Sequence, residues 1–175
     1  MDRFLEKIIS KSVYRREPKN TILLKEGELS KTFVHLKSGI IRHYFTDADG
    51  NDLTKNFLVG PCNFLFSMSS FISQTPGIVQ CEALTEVEIY EMNYENFQKM
   101  LKDHEFLSFW NSKLINFILK KERKEIALIR DDATKRYLQF LKDFPGLLNK
   151  IPHYYIASYL SISPETLSRI RKNIS

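Results

Sequence analysis

The residues of this 175-residue chain best placed to do chemistry lie near its end, in Ile151 to Asn173. Read as helix, turn, helix, that stretch has a consistent interior. Ile156, Ala157 and Leu160 form one apolar stripe, Ile162 sits in the turn, and Leu167, Ile170 and Ile174 form a second at i, i+3, i+7 spacing. Ala157 is small enough to let two helices cross closely. Ser163-Pro164 is a helix start, with serine as N-cap and proline at the first helical position. Burying Leu167 and Ile170 leaves Glu165, Ser168, Arg169 and Lys172 together on the outer face. A carboxylate, a hydroxyl and two cations on a short capped helix suit base edges and phosphates in a DNA major groove. The same periodicity also fits an ordinary αα-hairpin whose polar face meets only water.

Charge separates these readings better than periodicity does. The net charge of +5 is unevenly spread. Residues 1–103 carry 13 Lys/Arg against 14 Asp/Glu, residues 104–133 carry 6 against 5, and residues 134–175 carry 7 against 2. The excess sits in the segment with the helix-turn-helix pattern, as expected of a polyanion-binding domain attached to a neutral one. Hydrophobic content of 43% and charged content of 27% describe a soluble globular chain. No run of about 18 apolar residues offers a membrane span, and the N-terminus lacks the apolar core of a signal peptide. Cys62 and Cys81 have no metal-finger spacing, so a reducing, cytoplasmic protein with buried structural thiols is expected.

The elements that must position the terminal segment read off in order. Residues 2–12 suggest a short helix with Phe4, Leu5, Ile8 and Ile9 on one side, and residues 11–20 a polar loop. From Thr21 the period changes to two. Strands are expected at 21–24, 33–36, 40–46, 53–59, 78–84 and 86–92, with an Asp49-Gly50 hairpin turn and an irregular Phe/Ser stretch after Gly60-Pro61. Six or so short strands imply a β-sandwich or roll. Helical spacing returns at 93–104 and again over 105–130, where Leu107, Trp110, Leu114, Phe117 and Ile118 form a dimerising stripe. Six consecutive charges at 120–125 interrupt it, either as a solvated stretch or as a register-setting one. Asp131-Asp132 reads as a hinge, 134–144 as a helix closed by Pro145-Gly146, and 147–150 as a short link.

A roll, a long helix and a terminal helix-turn-helix resemble the Crp/Fnr superfamily of bacterial transcription regulators. Gly27-Glu28, Gly39 and Asp49-Gly50 look like the turn glycines of its cyclic-nucleotide-binding-like roll, and Gly60-Pro61 resembles the start of its ligand cassette. Glu165-Thr166-Leu167-Ser168-Arg169 resembles the Glu-x-x-Ser-Arg recognition helix of the Fnr branch, and 136–157 resembles members from Bacteroidetes. The resemblance implies an α+β fold: an eight-stranded double-stranded β-helix or jelly roll at 1–104, a dimerisation helix and hinge at 105–131, and a helix-turn-helix at 132–175. Since the chain ends at Ser175, the usual β-hairpin wing is expected to be missing.

The implied function is that of a homodimeric transcription regulator reading a palindrome of TTGA-like half-sites, with double-stranded DNA and RNA polymerase as partners and no enzymatic activity. Arg169 would fork onto a guanine and Glu165 would accept from a cytosine amino group. Ser168 would touch a base edge or phosphate, while Arg171 and Lys172 would take phosphates, with Ser163 and Thr166 completing the surface. The cassette 63–76 departs from the family's cyclic-nucleotide binders. It holds no Glu, Arg or Lys, and Gln74-Thr75 stand about where an Arg-Ser pair grips the cyclic phosphate. Cyclic AMP is therefore not expected. Phe64, Phe66, Ser67, Ser69, Ser70, Gln74 and Thr75 line either a pocket for a small neutral effector or a filled core. An iron–sulfur cluster needs four cysteines, and two exist. His35, His43, His104 and Cys62 could ligate haem, but nothing points to it. A cupin-type metal site at His35 and His43, on neighbouring strands, would need a Glu and a third His, so no metal or catalytic residue is expected. The rival reading is a small-molecule or protein interaction module whose terminal helices do not bind DNA. A third is an enzyme built on the roll.

Overall fold

The computed structural model describes residues 3–174. It is α+β, with element order α1 (Arg3–Ser10), β1 (Val13–Glu17), β2 (Ile22–Leu24), β3 (Thr32–Ser38), β4 (Ile40–Thr46), β5 (Asp52–Val59), β6 (Cys62–Leu65), α2 (Met68–Ser73), β7 (Gln80–Ala83), β8 (Val87–Asn93), α3 (Tyr94–Met100), α4 (His104–Arg130), α5 (Ala133–Asp143), α6 (His153–Tyr159) and α7 (Pro164–Ile174). A 3₁₀ turn at Leu147–Asn149 joins α5 to α6. Met1–Asn51 with Lys55–Ser108 forms one compact unit, and Asp52–Thr54 with Phe109–Ser175 the other. The expected helical residue Asp2 and the chain end at Ser175 lie outside the described residues.

The first unit is a jelly-roll-like sandwich of two four-stranded sheets, ordered β1-β8-β3-β6 and β2-β7-β4-β5. Alternation on the facing strands buries one continuous core that includes Val34, Leu36, Ile41, Phe64, Cys81 and Ile89. The β4–β5 hairpin forms where Asp49-Gly50 announced it. The Asp47 carboxylate accepts from the N–H groups of Asp49 and Asn51, at 3.0 and 2.8 Å, and Gly50 takes φ +83°. Those donors, Asn51 foremost, hold the Asp47 carboxyl below its usual range.

Several expectations are corrected. The polar loop at 11–20 contains β1, an edge strand whose pattern shows no alternation of burial. It is held by its antiparallel ladder to β8 and by the ion pairs Arg15–Glu91 (2.8 Å) and Arg16–Glu86 (2.6 Å). The irregular Phe/Ser stretch supplies β6 and α2. The strand expected at 78–84 is only β7, because Ile78 is exposed and stands outside the sheet. The six or so strands read from periodicity are eight, the number the family resemblance implies. His35 and His43 lie on β3 and β4, which belong to different sheets rather than neighbouring strands. His35 meets Asn63 Oδ1 through Nδ1 at 2.7 Å, whereas His43 is buried against Phe64.

The long helix α4, which belongs to the second unit from Phe109 onward, runs unbroken through the six charges at 120–125. Lys124 lies over the Tyr159 ring at 3.6 Å, so that stretch carries at least one packed cation rather than a wholly solvated face. Asp132 caps α5, accepting from Lys135 N–H at 2.8 Å. None of the described helices is long and apolar enough to cross a membrane.

Candidate nucleic-acid interface

Two helices and one turn build this site. α6 buries Ile156, Ala157 and Leu160, and α7 buries Leu167 and Ile170 against them. Ala157 is 1% exposed, as a close crossing requires. Ile174, expected in the same stripe, is 43% exposed.

The turn is a Schellman motif. Ile162 N–H donates to Ala157 carbonyl at 3.1 Å and Ser161 N–H to Ser158 carbonyl at 3.0 Å, the 6→1 and 5→2 pair that closes a helix C-terminus. This geometry puts Ser161 at φ +54°, where glycine is the usual occupant. Arg136 braces the same turn, donating through Nε to Leu160 carbonyl (3.2 Å) and through Nη1 to Asp131 carbonyl (2.6 Å). Under α6, Phe140, Phe144 and Tyr159 pack ring to ring, and burial pushes the Tyr159 phenol up to about 12. In sequence Arg136 stands out only as the first residue of the stretch 136–157 that resembles Bacteroidetes members, and its bracing of the turn is set by the fold.

The start of α7 is capped as expected, Thr166 N–H donating to Ser163 Oγ at 3.2 Å. Leu167 and Ile170 face inward, so Ser163, Glu165, Ser168, Arg169 and Lys172 are brought together as exposed residues, with Thr166 half-buried beside them. Glu165 sits in the first turn, where its own backbone N–H and then the Ser163 hydroxyl hold its carboxyl below the usual range. It is ionised at neutral pH and ready to accept. Arg171 differs from its neighbours. It is half-buried, and its Nη1 lies 2.8 Å from Nδ1 of His153, the first residue of α6.

The stripe on α4 leaves Leu107, Phe117 and Ile118 exposed, at 36%, 38% and 60%, while Trp110 and Leu114 are half-buried.

In the roll, the cassette residues turn toward one another. Phe64 and Phe66 are core residues in edge contact at 5.3 Å. Ser70 Oγ accepts from Ser30 N–H at 3.0 Å and donates to Thr75 carbonyl at 2.6 Å, and Ser67 Oγ lies 3.4 Å from Ser69 Oγ. Gln74, at φ +54°, closes α2 and donates its amide to Phe71 carbonyl at 2.6 Å. Cys81 is buried and donates its thiol to Phe66 carbonyl at 3.2 Å, and burial raises its pKa. The half-buried Cys62 thiol is pushed up to about 11 by the same cause, so both thiols are poor nucleophiles. Among the described residues no three His, Cys, Asp or Glu side chains gather into a metal-holding group.

Three solved structures share this architecture. The chain is 17% identical to FixK2 from Bradyrhizobium japonicum, covering 93% of this chain and 84% of that one at a TM-score of 0.81. It is 21% identical to CLP, a c-di-GMP responsive global regulator from Xanthomonas campestris, over 97% and 89% of the two chains at 0.74. It is 20% identical to a candidate transcriptional regulator of the Crp/Fnr family from Eubacterium rectale, over 99% and 83% at 0.72. No curated protein matches it. Residues 14–104, which hold all eight strands but the first residue of β1, match the cyclic nucleotide-binding domain, so the chain belongs to the cyclic nucleotide-binding domain family, built to the architecture of Crp/Fnr regulators.

Proposed function

We propose that this protein is a homodimeric, sequence-specific DNA-binding transcription regulator of the Crp/Fnr type. The observation that carries the reading is the outer face of α7, where Glu165, Ser168 and Arg169 stand exposed on a capped helix braced from behind by α6. Arg169 forks onto guanine O6 and N7, and ionised Glu165 accepts from a cytosine amino group. Lys172 and Arg171 meet phosphates, which add affinity without sequence information. The half-sites are TTGA-like and form a palindrome, read by two copies of the chain joined through α4 about one DNA turn apart. RNA polymerase is the downstream partner.

The roll does not take cyclic AMP. The position of a phosphate-gripping arginine is held by neutral Gln74, whose amide is spent on Phe71 carbonyl, and the cassette serines pair internally. The cassette itself offers a phosphodiester no cation. The cassette instead accepts a small neutral effector or acts as a closed core.

The test is a binding titration with a duplex carrying two TTGA half-sites. Arg169→Ala should cost about 1–3 kcal/mol and relax preference at one base pair per half-site. Affinity of the wild type should fall steeply with salt as phosphate contacts release counterions. Unchanged binding of every sequence by the Arg169→Ala protein would remove α7 as the reading helix and favour an interaction module instead.

A further inference from the structure

Arg136, the fourth residue of α5, donates to carbonyls at the C-terminal ends of two other helices. Nη1 lies 2.6 Å from the Asp131 carbonyl, just past α4, and Nε lies 3.2 Å from the Leu160 carbonyl at the end of α6. Asp131 N–H closes the last turn of α4 on the Ala127 carbonyl at 3.0 Å, and Leu160 N–H closes α6 on the Ile156 carbonyl at 3.0 Å. The carbonyls of Asp131 and Leu160 therefore belong to the set that a helix end leaves without an intrahelical partner. The helix dipole favours a cation at both places. A guanidinium is planar and its donors leave in fixed directions, so satisfying both carbonyls fixes the two helix ends relative to each other. A second contact ties the same helices, Lys124 of α4 lying over the Tyr159 ring of α6 at 3.6 Å. Lys124 precedes Asp131 by two helical turns, about 10 Å along the axis of α4. Contacts that far apart fix the direction of α4 as well as the position of its end. Accordingly, α4 from Phe109 onward falls in one compact unit with α5, α6 and α7.

We infer that Arg136 is a positioning residue that sets the half-site spacing the dimer accepts. This rests on the reading above, in which two copies joined through α4 place their α7 helices on a palindrome. Leu160 leads straight into the Schellman turn, and Ser163 beyond that turn caps α7. The guanidinium thus ties the end of the joining helix to the turn that aims the reading helix. Each base pair inserted between half-sites moves the second by about 3.4 Å along the DNA and rotates it by about 35°. A joint free to swing at Asp131-Asp132 would follow such a change. A clamped joint holds both α7 helices at one separation and one angle, so a wrongly spaced site meets one of them out of register. Arg169 and Glu165 choose the bases, and Arg136 chooses the distance between them.

The experiment titrates the full chain, at one salt concentration, against fluorescent duplexes carrying two TTGA half-sites. Their centre-to-centre separation is stepped singly from about 9 to 12 base pairs, and a further duplex carries one half-site. The wild type should prefer one separation over its neighbours by roughly tenfold or more. Arg136→Gln should lose roughly tenfold at that separation and change by less than about twofold on the other duplexes, which flattens the preference to within about threefold. Arg136→Lys keeps the charge without the planar fork and should fall between the two. Both variants should sediment as dimers like the wild type. An Arg136→Gln protein that keeps the wild-type preference, or a wild type indifferent to spacing, would overturn the inference while leaving the DNA reading intact. So would a variant that is monomeric, or one weakened equally on every duplex including the single half-site, because the guanidinium would then maintain the fold rather than set a distance. A wild type that binds TTGA duplexes no better than scrambled ones would instead overturn the DNA reading, and the spacing role would fall with it.

Discussion

Single residues decide the terminal site twice over. Ser161 occupies the left-handed position of the Schellman turn, at φ +54°, where a Cβ is strained. Replacing it with glycine relieves that strain, and the gain is partly offset by the freer unfolded chain. Ser161→Gly should therefore stabilise the protein by about 0.5–1 kcal/mol, seen as a higher urea midpoint at unchanged m value. A fall in midpoint would mean the serine side chain contributes more than its backbone costs. On α7 the geometry divides two neighbouring arginines that look alike in sequence. Arg169 is exposed, while Arg171 is half-buried and lies against His153.

At the scale of elements, β4 places His43 in the roll interior with Nε2 lacking a hydrogen-bond partner among the described residues. Burial lowers its pKa from 6.5 to about 3, with the nearby Lys55 charge adding to the effect. The unfolded chain takes up that proton below about pH 6.5 and the folded roll does not, so stability falls as pH drops through this window and is flat above it. The expected slope from this group approaches about 1.4 kcal/mol per pH unit well below pH 6. Denaturation of wild type and His43→Leu at several pH values checks this: the variant should be less pH-sensitive between about pH 4 and 6, and parallel curves would refute it. The β6–α2 segment shows a different elementary fact. Its phenylalanines and serines have no clean period, since Phe64 faces the sandwich core while Phe71 meets Tyr94 and Phe97 of α3. Two packing environments within eight residues erase a single pattern.

At the scale of the whole molecule, the proposed dimer rests on α4. A 27-residue helix with Leu107, Phe117 and Ile118 partly exposed is a costly surface for a lone chain, and a second copy is the occupant proposed above. Trp110→Asp should turn dimers into monomers in sedimentation equilibrium, with weakened binding to a palindromic duplex. A variant that still sediments as a dimer would place the interface elsewhere.

Much of this protein could be read from its residues alone, where one local rule governs one segment. The Ser163 cap, the 3.6 period of α7 and the Asp49-Gly50 turn depend on near neighbours in sequence, and each stands where pattern put it. The exposure of Glu165, Ser168 and Arg169 follows from that same period. Tertiary structure decided what no period encodes. β1 is a strand because β8 offers it backbone partners and opposite charges, although its own residues alternate nothing. Ile174 stands at the apolar spacing of α7 and is nonetheless 43% exposed, which its spacing alone does not encode. His153 meets Leu148 and Arg171 only once three elements come together, because contacts between residues up to 18 apart follow from packing and not from spacing.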